Sequence, residues 1–189
     1  MAHWGERSTR PSRRLDKHKT ANIFGKQTFS TPFSKMYSQG AVPLRLDHGA
    51  VKCRLKWEVN PEELDFNEFL VLFAEGIRET KHPYVFVARQ AFKEILECPE
   101  AGQKARPVIG KLIVPFRKAL MSKDTSVFLA GLEAVQQLSN VVGAALNEHL
   151  SILVVQINKK SFNPKFKTVV SELLSTLHEN GGDEVSRYY

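Results

Sequence analysis

Residues 104–120 carry the most constraining pattern in the chain. Ala105, Val108, Ile109, Leu112, Ile113, Phe116 and Leu120 recur at the i, i+3, i+4, i+7 spacing of one helix face. A strand alternates its faces every second residue and cannot collect these side chains on one side. The segment therefore reads as an amphipathic helix that buries a wide stripe. Pro107 suits its first turn, and Pro115 falls inside, where a kink is expected.

The same period recurs on both sides of it. Asn60, Pro61 and Glu63 supply an N-cap, an N1 proline and an N3 carboxylate for a helix with Phe66, Phe69, Leu70, Phe73 and Ile77 inward, and Asp65 with Glu68 is an alternative start. A second helix opens at Pro83 with Val85, Ala88, Phe92, Ile95 and Leu96, ending near Cys98-Pro99. Asp124 caps a fourth with Phe128, Leu132, Val135 and Leu138 inward; a fifth follows Val142 with Ala145, Leu146, Leu153 and Ile157. Asn163-Pro164 opens a sixth, through Phe166, Val169, Val170, Leu173, Leu174 and Leu177, which stops at Asn180-Gly181-Gly182. About six helices joined by short loops predict a mainly α architecture of three stacked pairs, an armadillo/HEAT-like α-solenoid, with a helical bundle as the alternative.

Upstream the period changes to two. In residues 42–59, Val42, Leu44 and Leu46 alternate with Pro43 and Arg45, and Val51, Cys53, Leu55, Trp57 and Val59 alternate with Lys52, Arg54, Lys56 and Glu58. This predicts an N-terminal β-hairpin turning at Asp47-His48-Gly49, with one face on the helices and a basic row on the other. Residues 1–40 show no helical period and read as an extended basic arm, leaving residues 41–182 as the hairpin and helical domain and 183–189 as a short tail. Phe24, Phe29, Phe33 and Tyr37 punctuate the arm; they dock either on the domain's own grooves or on a partner.

Charge is unevenly placed. Residues 1–60 hold 12 Lys and Arg against 4 Asp and Glu, a surplus of eight in a chain whose net charge is +7, so the remainder is close to neutral. A neutral body with a basic arm reaches toward something acidic: nucleic acid, a membrane surface or an acidic protein lattice. Arg10, Arg13, Arg14, Lys17 and Lys19 precede the aromatics instead of interleaving with them on a sheet, which disfavours RNA recognition. No apolar run approaches the roughly 18 residues of a membrane span, and MAHWGERSTRPSRR has no secretory h-region. Cys53 and Cys98 are too few for a disulfide framework or a zinc cluster and suit a reducing compartment.

Catalytic signatures are absent from the sequence: no Gly-rich phosphate loop, no G-x-S-x-G, no H-E-x-x-H. The six histidines do not cluster, and His149 reads as a hydrogen-bonded core residue. The expectation is a protein without enzymatic activity, cofactor or metal. The stretch RETKHPYVFVARQAF, residues 78–92, reads as the corner between the first two helices. Within it Arg89 either bonds groups of the fold or faces a partner.

Several long segments carry a family resemblance: IFGKQ (23–27), YSQGAVPLRLDHGAVKCRLKWE (37–58), AEGIRETKHPYVFVARQAFKEIL (74–96), KLIVPFRKAL (111–120), LSNVVGAALNEHL (138–150) and HENGG (178–182). With these the chain resembles the parkin co-regulated gene protein family, and most closely its parkin co-regulated gene-like branch, over about residues 23–182. The resemblance implies an armadillo/HEAT-type solenoid without catalysis, in the cytoplasmic cytoskeleton of cilia and flagella. In the best-known branch it implies a microtubule inner protein at the inner junction of the axonemal doublet, bound to α/β-tubulin and neighbouring inner-junction proteins. Family members continue past the Gly-Gly with an extended tail, whereas this sequence ends DEVSRYY, so roles of that tail are not carried over. The segment before residue 23 is poorly matched.

On this reading the expected partner-binding residues are Arg10, Arg13, Arg14, Lys17, Lys19, Phe24, Phe29, Phe33 and Tyr37 in the arm, and Lys52, Arg54 and Lys56 on the hairpin. They suit an acidic tubulin surface. The chain is expected to be monomeric apart from that lattice. Two other classes remain open from sequence: a soluble helical adaptor binding a peptide or small protein, and an RNA binder acting through the arm.

Overall fold

The computed structural model describes residues 29–49 and 53–188. It is mainly helical with a small two-stranded antiparallel sheet. The order is α1 (Pro32–Ser38), β1 (Leu44–His48), β2 (Cys53–Trp57), α2 (Phe69–Gly76), α3 (Tyr84–Leu96), α4 (Ala101–Ala105), α5 (Ile109–Leu120), α6 (Thr125–Val142), α7 (Asn147–Ser161) and α8 (Pro164–Gly181).

Three predicted boundaries are set by the capping groups already visible in the sequence. Asp124 accepts the amides of Ser126 and Val127 at the head of α6, and Asn163 accepts that of Lys165 before Pro164. Gly182, at φ +72°, closes α8 with its amide on the His178 carbonyl. Most inward residues follow the predicted stripes: Phe92, Phe116, Phe128, Leu132, Val135, Leu138, Leu153 and Leu177 are buried, whereas Val169, expected inward on α8, is exposed.

Other expectations are corrected. Residues 32–38 are helical although no period announces them. Thr31 and Ser34 form a capping box, each side chain taking the other's amide, and Pro32 fills the first turn. Asn60 does cap, but it opens only a 3₁₀ turn at Pro61–Glu63; α2 begins later, after Asp65 has drawn in the Asn67 amide. The segment expected as one helix over 104–120 is split, with Pro107 in a 3₁₀ turn (Arg106–Val108) between α4 and α5. Pro115 lies inside α5, where it withholds one amide from the ladder. Asp47 and His48, expected in the turn, are strand residues paired with Arg54 and Cys53. Residues 183–188, expected as a tail, form a 3₁₀ turn that buries Val185 against α7 and α8.

Packing runs along two series of helices. α2 packs on α5 and α5 on α7; α3 packs on α6 and α6 on α8; α2/α3, α5/α6 and α7/α8 join the series pairwise. Gly76 is required where α1, α2 and α3 converge, because a Cβ there would lie 2.6 Å from that of Ala88 and 2.7 Å from the Phe33 ring. The apolar helical stretch Thr125–Ser161 is long enough to cross a membrane by length and hydropathy, yet it is interrupted by a 3₁₀ turn at Gly143–Leu146 and turns its stripe into the core.

Cross-strand pairing places Leu44 opposite Trp57 and Leu46 opposite Leu55 on one hairpin face, and Arg45 opposite Lys56 and Asp47 opposite Arg54 on the other. Leu44 is buried, while Leu55 and Trp57 are half-buried; Cys53 and Val59, expected on the same face, are exposed. Two-stranded hairpins are marginal in water and need a support. Here the Trp57 indole donates to Glu94 Oε2 at 2.6 Å, and the Leu46 amide donates to the Tyr37 hydroxyl at 3.2 Å.

Candidate interaction surfaces

The predicted partner residues have divergent fates. Arg10, Arg13, Arg14, Lys17, Lys19, Phe24 and Lys52 lie outside the described residues. Phe29 is half-buried. Phe33 is a core residue, fully buried against Phe73 and stacked on Tyr37. Tyr37 is half-buried, edge-on to Tyr84, with its hydroxyl engaged by β1. For these two, docking on the domain itself is what the structure shows, because the fold has more apolar surface to offer at the α1–α2–α3 junction than solvent does.

Arg54 and Lys56 are exposed on the outer face of β2, as expected of the basic row. Arg45 joins them from β1, and its guanidinium pairs with Glu58 at 2.5 Å. Both side chains of this pair are largely in water, so it contributes little to stability. Arg45, Arg54 and Lys56 thus face solvent together with Asp47 and Glu58, a mixed face with a small positive surplus, on a hairpin whose other face is fastened to α1 and α3.

Sequence reasoning missed Glu79, the middle residue of RET. It is buried, and its carboxylate accepts the hydroxyls of Ser30 at 2.5 Å and Thr31 at 2.6 Å. Thr31 therefore works twice, accepting the Ser34 amide and donating to Glu79, which ties the start of α1 to the α2–α3 corner. A buried carboxylate left without donors would be costly, and hydroxyl donors relieve that cost. Only the adjacency of a charged tetrad to an apolar run hinted at it.

Arg89 takes the first of the two roles that its sequence context left open, bonding groups of the fold. Its guanidinium donates to the Glu79 carbonyl at 3.3 Å and to the Ser126 hydroxyl at 3.2 Å, bracing the corner against α6. It also lines a groove between α3 and α6. Burial pushes its pKa down, against the opposing fields of Glu133 and Asp124. Burial likewise lowers Lys160, which sits 4.1 Å from the Phe128 ring centre and donates to the Ser122 carbonyl, holding the α5–α6 loop to the end of α7. Burial raises the Cys98 thiol, with Glu62 adding to the effect. His149 is half-buried beside Gly110 and not deep in the core as expected. Among the described residues no three His, Cys, Asp or Glu side chains gather as a metal-binding group.

The chain is 36% identical over 119 residues to a mouse (Mus musculus) protein described as "Parkin coregulated gene protein homolog", an alignment covering 61% of this chain and 48% of that protein. The chain thus spans about half the length of this curated relative. The family profile described as "Parkin co-regulated protein" matches residues 31–187, which run from the Thr31 cap to the C-terminal 3₁₀ turn. The chain belongs to the Parkin co-regulated protein family.

Proposed function

We propose that this protein is a non-enzymatic structural component of cilia and flagella that binds tubulin, as a microtubule inner protein at the inner junction of the doublet, and stabilises the axoneme. The packing of α2/α3, α5/α6 and α7/α8 as neighbouring pairs supports reading the body as an armadillo/HEAT-type solenoid, a scaffold that presents surfaces more readily than it encloses reactive groups. The observation that carries the reading is the hairpin. Its outer row of Arg45, Arg54 and Lys56 stays in solvent while its inner face is fastened by Trp57 and Tyr37. The small positive surplus of this ridge, in a chain whose N-terminal sequence adds more, suits an acidic protein lattice.

Microtubule co-sedimentation of the full chain tests this. Arg54→Glu with Lys56→Glu should abolish most pelleting at low salt while leaving thermal stability within about 0.5 kcal/mol, since both side chains are exposed. Raising ionic strength should weaken the wild type progressively. Unchanged pelleting of the double variant would remove the hairpin from the reading. A deletion that probes the arm has to stop at residue 28; removing residues through 40 would take Phe33 out of the core.

A further inference from the structure

We infer that the groove between α3 and α6 is a docking site for an extended peptide segment of a partner protein, one that presents a single carboxylate side chain beside an apolar one. The inference does not depend on tubulin binding through the hairpin.

The groove exists because α6 places Ala130 and Ala134 where larger residues would fill the space between the helices. With Ile77 and Phe92 they form an apolar floor. The volume, about 410 Å³, lies near the lower end of ligand sites, enough for two or three side chains but not for the face of a domain.

The polar wall points to the charge of the occupant. Arg89 is half-buried, its hydrogen bonds go to a neutral carbonyl and a hydroxyl, and its Nε is buried without an acceptor. None of the ion pairs among the described residues includes it. A half-buried guanidinium whose terminal nitrogens meet only neutral acceptors is matched by a carboxylate on their remaining N–H groups. Lys93 is exposed at the mouth of the same groove, loosely paired with Glu97 at 3.8 Å, and places a second cation there.

Glu133 on the α6 wall limits how much negative charge can enter. Its carboxylate takes the Gln137 amide at 3.1 Å and would repel a second acid. A run of acidic residues therefore fits poorly, and one acid flanked by an apolar side chain fits well. Gln90 and Gln137 stand on opposite walls, and their amides can both donate to and accept from a peptide backbone.

A phage-displayed library of random peptides of about ten residues, selected on the immobilised full chain, reads this out. The expected consensus is one Asp or Glu next to an aliphatic or aromatic residue. A synthetic peptide of that sequence should lose at least about tenfold in affinity when its acid is replaced by the amide, and that preference should vanish in Arg89→Gln. Because Arg89 also braces Glu79 and Ser126, Lys93→Glu supplies the second test: Lys93 is exposed, and its reversal should weaken the peptide several-fold in a normally folded protein. Amide shifts on binding should fall on α3 and α6. No enrichment, a consensus without an acid, a preference only for a C-terminal carboxylate, binding unaffected by Lys93→Glu, or shifts elsewhere would each overturn the assignment. Loss of microtubule binding in the hairpin variant with peptide binding intact would separate this site from the tubulin surface.

Discussion

The hairpin and α5 are held in place by different physics. α5 is enclosed by α2, α6 and α7, and seven of its twelve residues are buried. β2 has no buried residue at all; its two inward side chains, Leu55 and Trp57, are half-covered, and one indole–carboxylate bond fixes its distance from α3. Stability in the body is spread over many contacts, none of which decides its position. In the hairpin a few directed contacts decide where its charged outer face points. The residues that set the hairpin's orientation are thereby separate from those that face outward.

The largest effect should come from the body. Phe116 is fully buried and edge-on to Phe92, with ring centres 5.8 Å apart. Phe116→Ala leaves a cavity where several helices meet and should cost about 3–5 kcal/mol. In thermal or urea unfolding this appears as a drop in Tm on the order of 10 °C, with hairpin and helices melting together. A hairpin that survives while the helices melt would mean the two regions are independent units, and the contrast would have to be redrawn.

An intermediate effect is expected at the anchor. Trp57→Phe keeps the ring on Phe73 but removes the donor to Glu94, a half-buried carboxylate that then retains only the Gln90 amide. The loss should be about 1–2 kcal/mol and local. Amide hydrogen exchange should accelerate across Leu44–His48 and Cys53–Trp57 while α5 and α6 stay protected. Equal acceleration in α5 would show that the indole bond supports the whole molecule.

The same contrast governs what the sequence discloses. Body helices announce themselves because burial on one face imposes a period, and because Asp124 and Asn163-Pro164 cap by local chemistry that needs no partner. α1 escapes because seven residues hold too few turns to show a period; only Thr31-Pro32 marks its start, and its stability comes from Phe33 entering the body and from Glu79. Splitting at Pro107 was hidden because apolar spacing continues through the 3₁₀ turn. The basic row of Arg54 and Lys56 was legible from alternation, whereas the α3–α6 groove was not. Its walls lie about forty residues apart in the chain, and small residues such as Ala130 and Ala134 fit a tightly packed helix as well as a concave one.

The smallest effect is chemical and compares the two cysteines directly. Cys53 is exposed on β2; Cys98 follows α3, half-buried, with its thiol donating to the Glu94 carbonyl at 3.4 Å. Burial, joined by the nearby Glu62, holds the Cys98 thiol above its ordinary pKa, so less of it is thiolate at any given pH. Maleimide at neutral pH should therefore modify Cys53 first and Cys98 several-fold more slowly, as resolved by mass spectrometry of digested samples. Raising the pH should speed Cys98 by restoring thiolate but not by opening its site. In Trp57→Phe, Cys53 should react at nearly its original rate, because it is already in water, and Cys98 should keep its lag if the end of α3 stands without the hairpin. Equal rates in the wild type would mean that the α3 terminus opens as readily as β2, and that enclosure by helices does not protect this end of the body.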